Sequence, residues 1–209
     1  MANPFREAWL RFEDPLTLIV RAATKLHSLW LRYTYPFAYT GRNLSIHFSC
    51  TLHRPSASQI RLGDSVIIGR DSLLYIVPDE VADVKLAIDD NCVLGARSVI
   101  SAKNLIHIEQ DVVTGTSVLI QDHQHTHQEL DIPIRYQGVT AGGRIRIERG
   151  CWIGQGAIIV CNEGEIVIGN NSVIGANAMV ARSLPPYSVV VCNPSVALKQ
   201  FDRIKARTG

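Results

Sequence analysis

From residue 62 onward the chain repeats an inward-type position every six residues. A residue that is usually aliphatic is followed by Gly or a small polar residue, with a small or aliphatic residue four places on. The matches fall at Leu62, Ile68 and Leu74; at Ile88, Leu94 and Ile100; at Ile108, Thr114 and Ile120; at Ile147, Ile153 and Ile159; and at Ile168, Ile174 and Val180. Within a triplet the step is six. Between triplets it is 14, 8, 27 and 9, so the additional residues always follow the third hexad. Three flat sides of six residues make one triangular coil, and every insertion then leaves from one corner. A fainter coil is expected ahead of these, starting near Leu44, Cys50 and Ser56.

Strand alternation supplies the physics. The first residue of each hexad points into the prism and stacks on its counterpart one coil away, about 4.8 Å along the axis. The residue four places on also faces inward, near a corner, and must be modest in size. Val66, Ser72, Cys92, Ser98, Val112, Val118, Cys151, Ala157, Ser172 and Ala178 meet that demand. Gly63, Gly69, Gly95, Gly115, Gly154, Gly169 and Gly175 follow the leading residue and are expected to let the backbone bend tightly. An ordinary β-sandwich has no reason to keep a six-residue phase. The pattern therefore predicts an all-β fold, a parallel β-helix of five to six triangular coils over residues 44–194. Residues 1–43 read as a helical N-terminal cap and 195–209 as a short capping helix and tail, with the helix over 196–205.

Residues 1–43 lack the hexad. Two helical stretches are predicted, Pro4 to Thr17 and Leu18 to Tyr33, with Val20, Thr24, His27 and Leu31 on one face. Aromatic and basic residues crowd this part: Trp9, Trp30, Arg32, Tyr33, Tyr35, Phe37 and Tyr39. The expected role is a cap over the open first coil. The sharper alternative is a peripheral membrane contact through residues 1–40.

Composition removes several classes. A net charge of +2 gives no case for nucleic acid, and the longest early apolar run, residues 16–20, is too short to cross a bilayer. Five cysteines without a C-x-x-C pair suit small buried fillers and a reducing cytoplasm. A position at the inner face of the membrane is compatible with that reading.

The triplet hexads, a His-bearing loop and the tail motifs together resemble the hexapeptide-repeat acetyltransferases of the maltose/galactoside and polysaccharide O-acetyltransferase type. The motifs are Cys151-Trp152-Ile153-Gly154-Gln155-Gly156-Ala157, Ile174-Gly175-Ala176-Asn177-Ala178, Pro185-Pro186-Tyr187-Ser188-Val189 and Cys192-Asn193-Pro194. The resemblance implies a left-handed helix and a homotrimer with active sites between subunits. It implies acetyl-CoA as co-substrate, no metal, and a sugar or glycan acceptor. Handedness comes from the resemblance alone, because the general preference for right-handed crossovers points the other way.

The insertion at 121–144 opens with Gln-Asp-His-Gln-His-Thr-His, and loops this long in a compact domain are usually functional. By the resemblance, His123 is the catalytic base. A sugar hydroxyl is a poor nucleophile near neutral pH, the thioester is already activated, and imidazole has a suitable pKa to take the proton. Asp122 or Glu129 can orient the ring, and His125 is an auxiliary, followed by His127. The resemblance further places Trp152 and Asn104 at the acceptor, Gln155, Ala176 and Ala181 along the pantetheine arm, and Lys199 at the nucleotide phosphates. Two other classes stay open: a γ-carbonic-anhydrase-like zinc enzyme using the three loop histidines, and a non-catalytic scaffold.

Overall fold

The computed structural model describes residues 15–79 and 82–192. Among the described residues one α-helix, α1 (Pro15–Thr34), precedes a prism of short parallel strands. The first coil comprises β1 (Tyr39–Thr40), β2 (Ser45–Ile46) and β3 (Thr51–Leu52). The second comprises β4 (Ile60–Leu62), β5 (Ile67–Ile68) and β6 (Leu73–Ile76). Then come β7 (Leu86–Ile88), β8 (Val93–Leu94) and β9 (Val99–Ala102), followed by β10 (Leu105–Ile108), β11 (Val113–Thr114) and β12 (Leu119–Gln121). The fifth coil holds β13 (Arg144–Ile147), β14 (Trp152–Ile153) and β15 (Ile158–Val160), and the sixth holds β16 (Glu165–Ile168), β17 (Val173–Ile174) and β18 (Met179–Val180). A seventh begins with β19 (Val189–Val190).

Each side of the prism is one parallel sheet. The first side runs β1-β4-β7-β10-β13-β16, the second β2-β5-β8-β11-β14-β17-β19, and the third β3-β6-β9-β12-β15-β18. The registers join the leading residues of the hexads: Leu62 pairs with Ile88, Ile88 with Ile108, Ile108 with Ile147 and Ile147 with Ile168. Every excursion leaves between the third side and the first, as the spacing requires. The ladders of isoleucine and leucine are buried, and so are all ten of the smaller corner residues from Val66 to Ala178. Burial raises the thiol pKa of Cys92 to about 12 and also raises those of Cys50 and Cys151, so these sulfurs are neutral fillers at ordinary pH.

Two expectations need correction. The first coil is phased on Thr40, Ile46 and Leu52, which pair with Leu62, Ile68 and Leu74. Leu44 and Cys50 are the corner residues of that coil, not its leading positions. The repeat hid this phase because a threonine stands where the other coils carry an aliphatic residue. The second correction concerns glycine. The bends of the corners are made two residues further on, at left-handed residues such as Asn91, Arg97, Asp111 and Ser117, with φ between 57° and 61°. The glycine after the leading residue serves close approach between coils. A Cβ on Gly95 would lie 2.1 Å from the Gly115 carbonyl oxygen, and one on Gly115 would lie 2.6 Å from the Gln155 nitrogen.

Helix α1 packs against β2. Thr24, Ser28 and Leu31 are buried on it, and His27 is half-buried, whereas Val20 is exposed. The face predicted from Val20, Thr24, His27 and Leu31 is therefore rotated slightly towards Ser28. The Ser28 hydroxyl accepts from the Ile46 N–H at 2.8 Å, and Lys25 Nζ donates to the carbonyls of Asn43 and Leu44. These bonds satisfy backbone groups that the first coil has no earlier coil to pair with. The second predicted helical stretch thus begins at Pro15, ahead of Leu18. The rest of the first stretch and the helix over 196–205 lie outside the described residues.

Candidate active site

The 27-residue step of the repeat becomes a loop that leaves β12 and returns to β13. Its two strands are tied at the base. Thr140 N–H donates to the Gln124 carbonyl at 2.7 Å, Gly143 N–H donates to the Asp122 carbonyl at 2.7 Å, and His125 bridges Val139. Lys103 Nζ donates to the Thr140 carbonyl, and Asn104 Nδ2 donates to the carbonyls of Ala141 and Gly143.

Asp122 is the centre of this base, with no solvent exposure. Its Oδ1 accepts the Lys103 N–H at 2.7 Å, and its Oδ2 accepts the N–H groups of Asn104 and Leu105 at 2.8 and 3.1 Å. Three backbone donors aimed at one buried side chain suit a carboxylate, since the ionised form only accepts. The same Oδ1 lies 3.0 Å from His123 Nδ1. A carboxylate cannot donate, so Nδ1 carries the ring proton and Nε2 is left with its lone pair. That nitrogen lies 3.5 Å from the Ser101 hydroxyl oxygen. His123 is itself buried, and the Gln121 amide donates to its carbonyl, fixing the backbone beneath the ring. The arrangement leaves Nε2 as the basic nitrogen of a buried ring, beside a carboxylate that would stabilise an imidazolium.

The other expected site residues are distributed differently. His125, His127 and Glu129 lie further along the loop and are exposed, and Glu129 engages Gln137 through its backbone. Among the described residues no three His, Cys, Asp or Glu side chains are grouped to hold a metal ion. Asn104 spends its side-chain donor on the loop base. Trp152 stands exposed on the outer face of the second side, and Ala181 follows β18 on the corner that carries His123 two coils earlier. Gln155 and Ala176 are exposed on the opposite corner, between second and third sides, so one chain does not bring them to His123. Lys199 lies outside the described residues. Sequence reasoning missed Ser101, Gln121, Lys103 and Thr140. Ser101 and Gln121 are cross-strand neighbours, which only the register reveals.

The family model described as the hexapeptide repeat of succinyl-transferase matches residues 85–120 and 144–182. A Mycobacterium tuberculosis protein named as a probable acetyltransferase is 26% identical over 166 residues, which covers 79% of this chain and 51% of that protein. The chloramphenicol acetyltransferase of Agrobacterium fabrum is 30% identical over 134 residues, covering 63% of this chain and 59% of that one. The chain spans about half the length of the curated relatives it matches. Among solved structures, AntD, an N-acyltransferase from Bacillus cereus crystallised with dTDP and coenzyme A, superposes with a TM-score of 0.63 at 20% identity. That match covers 77% of this chain and 82% of AntD, and it shows a shared fold.

Proposed function

We propose that this chain is a hexapeptide-repeat acetyltransferase that moves an acetyl group from coenzyme A to a saccharide hydroxyl, a reading supported by its repeat, its fold and its relatives. The observation that carries the reading is the buried Asp122–His123 pair, with an unprotonated Nε2 beside Ser101, at the root of the one long loop among the described residues. The acceptor oxygen attacks the thioester carbonyl while its proton passes to Nε2. The tetrahedral intermediate collapses, the carbon–sulfur bond breaks, and the leaving thiolate takes the proton back from imidazolium. Asp122 holds the tautomer and offsets the transient positive charge. No acyl-enzyme is needed.

A saccharide acceptor is supported by AntD, which was crystallised with dTDP-4-amino-4,6-dideoxyglucose and coenzyme A. The contacts assigned to Trp152, Gln155, Ala176, Ala181 and Lys199 follow from the family resemblance. A homotrimer is supported by the outer faces of the prism. The outward ladder of the second side reads Ile67, Val93, Val113, Trp152, Val173, and that of the third reads Leu73, Val99, Leu119, Ile158, Met179. The first side reads Tyr39, Arg61, Ala87, His107, Arg146, Val167 and so carries charged positions that the other two ladders lack. A closed ring of copies needs two different adhesive faces on each copy, and this prism has two apolar ones and one polar one. The third side ends at the corner of His123, so a neighbour seated there closes the site.

The test is release of free thiol from acetyl-CoA across a panel of nucleotide sugars and glycans offering hydroxyl or amino acceptors. Transfer to a hydroxyl, lost in His123→Ala with coenzyme A binding retained, is the expected result. Transfer only to amines moves the assignment to N-acylation. Stoichiometric zinc in the active protein, or activity untouched in His123→Ala, overturns the mechanism.

A further inference from the structure

Helix α1 closes one end of the prism with a narrow stripe, Thr24, Ser28 and Leu31, and leaves most of its circumference outside. At 100° per residue, the outward arc holds Leu18, Ile19, Leu26, Leu29, Trp30 and Tyr33, and all of them are exposed. Leu26, Trp30 and Tyr33 are 68%, 54% and 78% exposed. A helix that covers the end of a soluble prism has no need of apolar residues on its far side, where polar ones would serve better.

Charge identifies the occupant. Residues 15–63 contain six Lys and Arg and no Asp or Glu, in a chain whose net charge is only +2. The remainder therefore holds four more acids than bases. Arg21, Lys25 and Arg32 fall on one flank of α1, between the buried stripe and the apolar arc. The first carboxylate after the helix, Asp64, faces Arg42 at 3.2 Å. Among the described residues no helix is long and apolar enough to cross a membrane. An apolar arc rich in Trp, Tyr and Leu, bordered by cations without acids, fits a surface that is apolar beneath and anionic above.

We propose that α1 lies in the headgroup region of an anionic lipid bilayer and seats the prism on it, end first. The outward arc enters the acyl boundary, and the guanidinium groups of the basic flank meet the lipid phosphates, while Lys25 stays bonded to the first coil. The prism axis then stands away from the bilayer, because the buried stripe fastens the helix across the first coil. The Asp122–His123 pair belongs to the fourth coil, three coil rises from the first, or about 14 Å along the axis.

Co-sedimentation of the full chain with vesicles tests this. Vesicles of phosphatidylcholine with one quarter phosphatidylglycerol are compared with phosphatidylcholine alone. The expected result is at least tenfold stronger binding to the anionic vesicles, weakened by 0.5 M NaCl. The double variant Leu26→Glu/Trp30→Glu should lose binding at least tenfold while keeping its circular dichroism and its oligomeric state, since both side chains are solvent-facing. Equal binding to both vesicle types, or none to either, overturns the proposal. So does a double variant that still binds vesicles but changes oligomeric state, which would assign the face to a second copy of the chain.

Discussion

A carboxylate that accepts from Nδ1 fixes the tautomer and orientation of an imidazole, and Asp122 holds His123 in that way. Replacing His123 by Ala should lower transfer by on the order of 100-fold or more and leave coenzyme A affinity within about twofold, read from initial rates and from calorimetric titration. Asp122→Asn should lose activity and loop order together, because the same carboxylate accepts the N–H groups of Lys103, Asn104 and Leu105. Losing a charge-assisted acceptor costs about 1.5–3 kcal/mol, so the unfolding midpoint should fall along with kcat. The thiols divide by burial. Cys192 is exposed, whereas Cys92, Cys151 and Cys161 are buried. A thiol reagent at pH 8 should therefore modify Cys192 first, and the buried three only on unfolding. The raised pKa of Cys92 has a definite sign. Below pH 9 the thiol is neutral in both states. Between pH 9 and about 12 the unfolded chain ionises it and the folded chain does not, so its stability contribution is lost as pH rises through that window. The gap in the repeat marked the loop that opens at Gln121, and the family resemblance singled out His123 within it. Ser101 was not legible, since within its hexad it is only a small residue after Ile100, and its nearness to Nε2 depends on coil-to-coil register.

At the scale of elements, the glycines and the left-handed corners do separate jobs, and mutation should separate them. Gly115→Ala drives a Cβ to 2.6 Å from the backbone of the next coil, which has no side-chain end to move aside. About 3 kcal/mol of destabilisation is expected, at the upper end of overpacking. Gly164→Ala meets nothing within 4 Å but sits at φ +65°, so it should cost about 1 kcal/mol from backbone strain alone. Denaturant midpoints at matched protein concentration give the comparison. Where an aliphatic residue leads every hexad, as in Ile147, Ile153 and Ile159, sequence alone gave phase and face correctly. It slipped by four residues in the first coil, where Thr40 leads and the corner residue Leu44 is the more conspicuous apolar position. The same inward preference acts at both positions, so hydrophobicity cannot tell them apart without a neighbouring coil to fix the register.

For the molecule as a whole, the two apolar sides suit a closed ring, and the family resemblance implies that it has three copies. Val113→Glu with Trp152→Glu, both on the outer ladder of the second side, should convert that ring to monomers, as measured by sedimentation velocity. Transfer activity should fall with it if the site closes only against a neighbour. The choice of faces was invisible in the repeat, because outward positions carry no phase constraint and vary freely between apolar and charged. The prism itself has a further consequence. Each full turn adds one fixed increment, about 4.8 Å, between the lidded end and the His123 imidazole, and every excursion is confined to a single seam. Height above the base can therefore change only in whole storeys, by gain or loss of a complete turn, without re-drawing the chemistry. A natural variant one turn shorter would work on an acceptor held that much nearer the floor.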